Sequence, residues 1–447
     1  MGKLFGTDGV RGVANVDLTP ELAFDIGRAG AYILASNNVG RVLVGKDTRA
    51  SGDMLEAALT AGICSMGIDV VSLGVVPTPA VAHLTRKHKA LAGIVISASH
   101  NPGEYNGIKF FDSKGIKLSD EIEAKIEDII LNKKKIETRP IKNKVGRVYR
   151  DENGPRDYKE FLKNAIKLDL SGMKIALDCG HGALYKIAPE IIKDLNGQVF
   201  ISNVEPDGMN INSDCGSTNP EIIRNLVLDN KADIGFSIDG DGDRIIAVDN
   251  EGQVIDGDHI LSICAGYLKK NNRLNNNTVV GTVMTNMGLD EYLKNNEIEI
   301  IKTQVGDRYV LEEMLKNGFS LGGEQSGHII FLDYNTTGDG LATGLFLLEV
   351  MIETKIAISD LNKLMKNYPQ ILINAKVPNE KKYNYLENED IKSEIKRIEA
   401  YFHGEGRVVI RPSGTEPLVR VMIEGKNQEE ITNIAQDLVY FIEERLK

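Results

Sequence analysis

GIVISASHNPGEYNGIKFF, residues 93–111, is the stretch around which the rest of the chain is organised. It begins with the apolar run Ile94–Ile96, which is typical of a buried strand. Small polar residues follow, and a second apolar run at Ile108–Phe111 carries Lys109. Open α/β sheets bind ligands where their strands end, so the loop serines are candidates for a site there. The alternative is an ordinary solvated turn, because Ser, Asn, Pro and Gly are the usual turn residues.

Apolar runs that end in polar or Gly-rich loops recur along the chain. The strand-like runs are Arg41–Asp47, Lys174–Gly180 and Thr278–Asn286. Stretches with the 3.6-residue apolar spacing of helices lie between them, at Leu22–Leu34, Pro189–Leu195 and Tyr309–Leu315. This alternation is typical of βαβ units. It predicts three similar α/β domains with mixed, mainly parallel sheets.

The C-terminal part of the chain has a different pattern. A charged helical stretch at Asn379–Tyr401 precedes a strand pair around Arg407–Arg411 and Leu418–Ile423, and a closing helix follows. We therefore expect a smaller α+β domain at the end of the chain. With turn-rich joints as boundaries, the predicted domains cover residues 1–154, 155–252, 253–369 and 370–447.

Composition narrows the class of protein. The 447 residues are 42% hydrophobic and 26% charged, which is ordinary for a globular enzyme. The net charge of −11, without a basic tail, argues against a nucleic-acid partner. The four cysteines form no CxxC pair and are interpreted as reduced thiols. No signal peptide and no apolar run of about 18 residues is found, so we expect a cytoplasmic protein without a membrane partner.

DGDGDR at residues 239–244 is the sharpest local signal. In an extended chain, Asp239, Asp241 and Asp243 share one face, so their carboxylates can converge on one hard cation. Mg²⁺ fits better than Ca²⁺, and an EF-hand is excluded because Arg244 and Asn250 stand at its Gly and Glu positions. A surface Asp/Gly turn is the alternative, which an apolar run directly before the triad disfavours.

RPSGTEP at residues 411–417 has the composition of a phosphate-binding loop. It combines a planar cation, two hydroxyls and a glycine backbone that can approach an anion closely. Arg420 in the return strand can add a second guanidinium. An exposed hairpin turn is the alternative.

GGEQSGH at residues 322–328 is a weaker signal. Glu324 and Ser326 could contact vicinal sugar hydroxyls, although Gly-rich loops with one Glu are common. Arg11 and Arg308 each lie in a Gly/Asp loop, which suits charge-assisted contacts with an anion.

Taken together, these motifs resemble those of the α-D-phosphohexomutase family, in the same order and over essentially all 447 residues. The sequences that carry the resemblance are KLFGTDGVRG, ISASHNP, DGDGDR, VGDRYV, GEQSGH and RPSGTEP. Within the family, the chain most closely resembles the bacterial subgroup that acts on glucosamine phosphates, and Gln325 is the residue that indicates this subgroup. Relatives that act on mannose or glucose phosphates typically have Met there.

The resemblance implies an isomerase that interconverts glucosamine 6-phosphate and glucosamine 1-phosphate, on the route to UDP-N-acetylglucosamine and peptidoglycan. It implies a phosphoserine at Ser99, supported by Ser97 and His100. It also implies a 1,6-bisphosphate that serves as intermediate and activator. The domains would surround a central cleft, with a mobile fourth domain that excludes water. A homodimer is expected at the family level.

The resemblance also implies the roles of individual residues. The catalytic set is Ser99, His100, Lys109, Arg244 and His328, with Lys109 and His328 as candidates for proton transfer. One Mg²⁺ would be held by Asp239, Asp241, Asp243 and an oxygen of phosphorylated Ser99. The phosphosugar would be bound by Arg11, Arg308, Glu324, Ser326, Arg411, Ser413, Gly414, Thr415 and Arg420.

Three other functions compete with this hypothesis. A mutase for mannose or glucose phosphates is the nearest, and Gln325 argues against it. An aspartyl-phosphate phosphatase is suggested by Asp239-x-Asp241 after a strand, but Asp243 replaces its usual Thr or Val and the phosphate loop is left unexplained. A phosphosugar sensor without turnover is disfavoured by the intact serine, metal and sugar motifs.

Overall fold

The computed structural model of the chain describes residues 4–6, 8–35, 40–137, 139–413 and 417–447. They form two compact units. The larger consists of Met1–Thr282 and Ile298–Leu364, and the smaller of Val283–Glu297 and Met365–Lys447. The larger unit carries the predicted serine, metal and sugar loops, and the smaller unit carries the predicted phosphate loop. In the parts of the chain that are described, no helix is long and apolar enough to cross a membrane.

The first part of the larger unit is a sheet with the strand order β1-β5-β4-β2-β3-β6. Its elements are β1 (Val10–Val13), α1 (Pro20–Ala35), β2 (Arg41–Lys46), α2 (Ser51–Cys64), β3 (Asp69–Val75), α3 (Thr78–Lys87), β4 (Ala92–Ile96), β5 (Tyr105–Asp112), α4 (Asp120–Leu131) and β6 (Val148–Arg150). Strands β2, β3, β4 and β6 pair in parallel, whereas β5 runs antiparallel to β1 and β4. The strands predicted in residues 93–111 are therefore confirmed, as the adjacent β4 and β5.

The second part is a sheet with the order β11-β10-β9-β7-β8. Its elements are α5 (Gly154–Ala165), β7 (Lys174–Asp178), α6 (Ile187–Asp194), β8 (Gln198–Ser202), α7 (Glu221–Asn230), β9 (Ile234–Ile238), β10 (Ile245–Asp249) and β11 (Val254–Ile255). Strand β9 is buried along its whole length and pairs antiparallel with β10, Ile238 opposite Ile245. The Asp triad therefore occupies the connection between two buried strands.

The third part is a sheet with the order β13-β12-β14-β15. Its elements are α8 (Gly257–Lys270), β12 (Thr278–Thr282), α9 (Met287–Asn295), β13 (Glu299–Thr303), α10 (Asp307–Asn317), β14 (Leu321–Gly323), β15 (Ile329–Phe331), α11 (Gly340–Thr354) and α12 (Ile358–Asn362). Helix α9 belongs to the smaller unit. The strand predicted at Thr278–Asn286 ends at Thr282, because Asn286 instead caps α9 and accepts from the Gly288 amide.

The smaller unit contains an antiparallel sheet with the order β16-β18-β17. Its further elements are β16 (Gln370–Lys376), α13 (Glu389–Tyr401), β17 (Gly406–Pro412), β18 (Leu418–Gly425) and α14 (Gln428–Arg445). The prediction of one helical stretch from Asn379 was wrong at its start. Helix α13 begins at Glu389 because the Asn388 side chain accepts from the amides of Asp390 and Ile391. The predicted fold class, α/β with mixed sheets plus a smaller α+β part, is confirmed.

Candidate active site

The predicted serine loop follows β4 and is buried. Ser99 has a left-handed backbone, with φ of 52°, which is uncommon for a residue other than glycine. Its amide donates to Ser97 Oγ at 2.9 Å. Its hydroxyl donates to Asp239 Oδ2 at 2.6 Å. The fold therefore joins the predicted serine directly to the predicted metal triad, 140 residues further along the chain.

The triad has the properties of a cation site. Asp239, Asp241 and Asp243 are buried, and one oxygen from each lies within 4.8 Å of the others. Among the described residues, Asp241 Oδ1 and Asp243 Oδ1 are buried and have no hydrogen-bond partner. Burial, together with repulsion from Asp243 and Asp241, raises the pKa of Asp239 well above its ordinary value. A divalent cation fits this set of oxygens, since it would bind the unpartnered atoms and remove the repulsion.

Lys109 reaches the triad from β5. It lies opposite Val95 of β4, and its side chain is buried. Its Nζ lies 2.7 Å from Asp241 Oδ2, 3.0 Å from Asp8 Oδ2 and 3.5 Å from Asp243 Oδ2. Burial lowers the pKa of Lys109, but the three carboxylates outweigh it and raise the pKa above its usual value. The ammonium therefore stays charged and faces the same space as the triad.

A closed ring of acidic and basic side chains connects the two predicted proton-transfer residues. In order, its members are Lys109, Asp8, Lys117, Asp307, His328 and Asp243. Lys117 Nζ contacts both Asp8 and Asp307. His328 Nε2 lies 3.4 Å from Asp307 Oδ2, and its Nδ1 lies 3.7 Å from Asp243 Oδ1.

Three members of this ring were missed by the sequence analysis. Asp8 and Asp307 lie inside the GTDG and VGDR motifs, close to Arg11 and Arg308, and the composition of these loops indicates an anion site built by the arginines. Lys117 lies in no motif, so no local signal could have indicated it. Because Lys109 and Lys117 outweigh burial, the pKa of Asp8 lies well below its ordinary value. These three residues are part of the charged site.

The two predicted histidines differ in their surroundings. Burial, then the charges of Arg244 and Arg11, lower the pKa of His100 to about 4. The neutral ring can accept from Arg244 Nη1, 3.2 Å from its Nδ1. His328 accepts from the Gly338 amide at Nε2, 2.9 Å away. Burial lowers the pKa of His328, but the nearby acids outweigh burial and raise it.

The predicted sugar loop connects β14 and β15. Glu324 is half-buried, and its Oε1 accepts from the Gly306 amide at 3.0 Å. Burial and then the charge of Asp307 raise the pKa of Glu324. Ser326 is exposed, and Gln325 Nε2 lies 3.4 Å from Asp256 Oδ2. The loop thus presents polar side chains close to the Asp307 segment.

The two predicted arginines of the larger unit have different partners. Arg11 pairs with Asp8 and lies 3.5 Å from Asn101 Oδ1, beside the serine loop. Arg308 contacts Asp120 at the start of α4 and lies 2.8 Å from Glu123. In this structure Arg308 is therefore engaged by acids of α4, whereas the neighbouring Asp307 faces the charged ring.

In the smaller unit, the predicted phosphate loop follows β17. Arg411 and Arg420 lie directly opposite each other in the β17–β18 pair, so both side chains point to one face of the sheet. Ser413 is buried, its amide donates to Leu418 O, and its carbonyl accepts from Lys382 Nζ at 2.6 Å. Gly414 and Thr415 lie outside the described residues.

Four family models match successive parts of the chain. They describe phosphoglucomutase/phosphomannomutase α/β/α domains I, II and III and the C-terminal domain. They match residues 2–137, 156–252, 256–368 and 372–440, respectively.

Two curated relatives match at high identity along their whole length. The phosphoglucosamine mutase of Alkaliphilus oremlandii is 58% identical over 448 residues, which cover 100% of both chains. That of Clostridioides difficile is 54% identical over 447 residues, again 100% of both chains.

Solved structures show the same fold. A phosphoglucomutase/phosphomannomutase family protein from Burkholderia thailandensis has a TM-score of 0.80 at 26% identity, over 96% of this chain and 95% of that one. An N-acetylphosphoglucosamine mutase from Aspergillus fumigatus, solved with GlcNAc-6P and magnesium, has a TM-score of 0.72 at 16% identity. That match covers 99% of this chain and 96% of the fungal one, and it concerns the fold alone.

Proposed function

The chain belongs to the phosphoglucomutase/phosphomannomutase family, and on this premise we propose that it acts as a phosphoglucosamine mutase. The reaction is the interconversion of glucosamine 6-phosphate and glucosamine 1-phosphate. The assignment to this sugar rests on the identity of 54–58% with curated phosphoglucosamine mutases over their full length.

One observation supports the phosphoserine mechanism most strongly. The Ser99 hydroxyl lies 2.6 Å from Asp239, inside a buried cluster of three carboxylates and Lys109. A phosphoserine carries a charge of about −1.5 to −2, which a divalent cation and an ammonium can offset. The same buried acids without a cation would repel such a group.

The proposed reaction has two phosphoryl transfers. In the first, the bond between Ser99 Oγ and phosphorus breaks while the sugar 1-hydroxyl forms a bond to phosphorus. The hydroxyl proton passes to a neighbouring base, and the product is glucosamine 1,6-bisphosphate. In the second, the 6-phosphoryl moves to Ser99 Oγ and a proton returns to the sugar 6-oxygen. Glucosamine 1-phosphate leaves, and the phosphoserine is restored.

We assign the remaining roles by chemistry and position. One Mg²⁺ held by Asp239, Asp241 and Asp243 would supply charge neutralisation for the transferring phosphoryl group. Lys109 and His328 stay the candidates for proton transfer, and both belong to the ring of acidic and basic side chains. Because the Lys109 ammonium stays charged, Lys109 would act as a proton donor and His328 as the base. The two guanidiniums of Arg411 and Arg420, on one face of their sheet, suit the phosphate that is not reacting.

The experiment is an isomerase assay of purified protein with Mg²⁺ and glucose 1,6-bisphosphate as the starting phosphoryl donor. We expect rapid interconversion of the glucosamine phosphates. The matched substrates are mannose 1-phosphate and glucose 1-phosphate, tested at the same concentration. Absence of glucosamine phosphate turnover by folded protein that carries phosphate on Ser99 would contradict the proposal.

A mutase for mannose or glucose phosphates is the second candidate. It is favoured by the family models, whose descriptions name those two activities. A higher kcat/KM for mannose 1-phosphate or glucose 1-phosphate in the same assay would establish it.

The proposal extends to organisation. We propose four domains at residues 1–154, 155–252, 253–369 and 370–447, a cytoplasmic location and a homodimer. Limited proteolysis and sedimentation of the purified protein test the domains and the dimer.

A further inference from the structure

The backbone of the serine loop is held by a buried arginine from another segment. Arg49 lies just after β2, and its Nη2 donates to the carbonyls of Ser99 at 3.0 Å and Asn101 at 2.7 Å. Its Nη1 donates to the Tyr105 carbonyl at 2.9 Å and also contacts the Pro102 carbonyl. One guanidinium therefore donates to carbonyl groups along the loop from Ser99 to Tyr105.

The position of this guanidinium is itself fixed. Arg49 Nε donates to Asp47 Oδ2 at 2.9 Å, and Asp47 Oδ1 accepts from the Arg49 amide at 3.0 Å. The same Oδ2 accepts from Ser97 Oγ at 2.5 Å. Ser97 Oγ in turn accepts from the Ser99 amide. Asp47 is thus connected to the backbone of Ser99 by two routes. It reaches the Ser99 carbonyl through Arg49 and the Ser99 amide through Ser97.

A second donor approaches the same carbonyls from the part of the chain after β8. Asn212 Nδ2 donates to the Ser99 carbonyl at 2.9 Å and to the Asn101 carbonyl at 3.0 Å. The metal loop packs against this contact, because a Cβ added at Gly240 would lie 2.7 Å from Ser99 O and 2.9 Å from Asn212 Nδ2. The serine backbone, Asn212 and the metal loop therefore meet at one point.

We propose that Arg49 and Asn212 are positioning residues that hold Ser99 in its left-handed conformation and aim its Oγ at the metal triad. The inference rests on the proposed function, because it concerns the same phosphoryl transfer. A left-handed backbone is unfavourable for serine, so it persists only where surrounding contacts hold it. Charge-assisted bonds from a buried guanidinium and a two-carbonyl bond from an amide supply such contacts.

The test compares two Asn→Asp substitutions. Asn212→Asp keeps the shape of the side chain but replaces the donor to two carbonyls with an acceptor. Asn210→Asp is the matched control, since Asn210 is half-buried like Asn212 and its Nδ2 donates to the Glu205 carbonyl, away from the serine loop. Arg49→Lys is a further variant, which keeps the charge but loses the planar fork.

Two rates are measured for each variant: kcat with glucosamine 6-phosphate, and the single-turnover transfer of phosphate from glucose 1,6-bisphosphate to Ser99, followed by mass spectrometry. We expect both rates to fall about 100-fold in Asn212→Asp, the loss that a displacement of about 1 Å can cause. KM should change little, whereas the melting temperature should fall, so both rates are measured at a temperature where the variant stays folded. Asn210→Asp should match the wild-type protein in all four quantities.

The outcomes separate this inference from the proposed function. If wild-type Ser99 takes up phosphate but glucosamine phosphates are not isomerised, the proposed substrate is wrong, and the uptake rates still test the positioning role. Equal uptake rates in wild type and Asn212→Asp overturn the positioning role, and so does a loss that only follows the unfolded fraction. If Arg49→Lys does not fold, Asn212→Asp decides the question alone. If wild-type Ser99 takes up no phosphate at all, the positioning role falls with the phosphoserine.

Discussion

The buried cluster around Ser99 and the arginine pair of the smaller sheet differ in how their charged side chains are arranged. In the cluster, positive and negative groups alternate, and Lys109 alone contacts three carboxylates. In the smaller sheet, Arg411 and Arg420 lie directly opposite each other on one face. Like charges in that position repel and destabilise the sheet. The first region pairs a cation with several carboxylates, whereas the second places two cations on one face of a sheet, as suits the proposed binding of a phosphate.

The smaller sheet also contains an arginine that faces an acid instead of another arginine. Four residue pairs along the same two strands, Arg407 lies opposite Glu424 and donates to its Oε2 at 2.6 Å. Glu424 is fully buried. Arg407 is therefore part of the fold, and the Arg411–Arg420 pair suits ligand binding. This difference can be measured.

The largest expected effect is in the buried cluster. Ser99→Ala should abolish mutase turnover, by at least about 1000-fold, because no hydroxyl remains to carry the phosphoryl group. Folding and substrate binding should persist, since the substitution removes one oxygen. The measurement is kcat together with substrate affinity and circular dichroism.

Ser97→Ala is the control for Ser99→Ala. It removes a support of the loop, and turnover should fall less. If Ser97→Ala is the more damaging change, or if Ser99→Ala retains near-normal turnover, the phosphoserine is assigned to the wrong residue.

Removal of the metal should come next in size. A chelator should stop turnover, and Mg²⁺ should raise the melting temperature of the metal-free protein, because at about 100 times its Kd a ligand stabilises the folded state by roughly 2.7 kcal/mol. In Asp239→Asn the metal-free protein should melt higher than wild type, because repulsion within the triad is relieved, and Mg²⁺ should add little. The measurement is calorimetry with and without Mg²⁺.

Asp229→Asn is the matched control for the metal experiment, since Asp229 is exposed on α7. It should keep the full response of the melting temperature to Mg²⁺. An undiminished response in Asp239→Asn would show that the ion binds elsewhere.

The arginines should show a smaller and more selective effect. Arg411→Gln should raise KM about 10- to 100-fold, the value of one or two hydrogen bonds to a charged group. Arg407→Gln should leave KM unchanged and lower the melting temperature, because buried Glu424 loses its cation. Equal effects of the two variants on KM would contradict the distinction between them.

The smallest effect concerns histidine titration away from the cluster. Burial, then Arg86 and Lys87, lower the pKa of His83 to about 4, and its ring stacks on Phe161 with centroids 3.8 Å apart. The unfolded chain binds this proton near its ordinary pKa of about 6.5. Stability is therefore lost as the pH falls from about 6.5 to 4, and His83→Phe should reduce that loss. The measurement is urea unfolding of both proteins at several pH values. The same dependence of the free energy of unfolding on pH in His83→Phe and wild type would contradict this prediction.

Local patterns were sufficient to predict part of the fold and of the site. The serine loop and the Asp triad were predicted because each motif follows directly on an apolar strand, a relation visible within about ten residues. The choice of Ser99 within the loop came from the family resemblance. The strands β4, β5 and β9 followed from the same patterns.

Long-range partners could not be predicted in this way. Lys117, Arg49 and Asn212 act through residues that lie far from them in the sequence, and no periodicity connects them. Arg308 shows the related difficulty, because its VGDR motif does not reveal that α4 supplies its partners. The start of α13 depended on one capping side chain, Asn388, which the apolar spacing does not record.

Peptide mass mapping of the protein, before and after incubation with substrate, tests the central claim most directly. We expect phosphate on Ser99 after treatment with glucose 1,6-bisphosphate, and its transfer to added glucosamine 6-phosphate. Hydroxylamine should leave this phosphate in place, since it cleaves acyl phosphates but not phosphoserine. Phosphate on Asp239, or on no residue of an active enzyme, would rule out the phosphoserine mechanism.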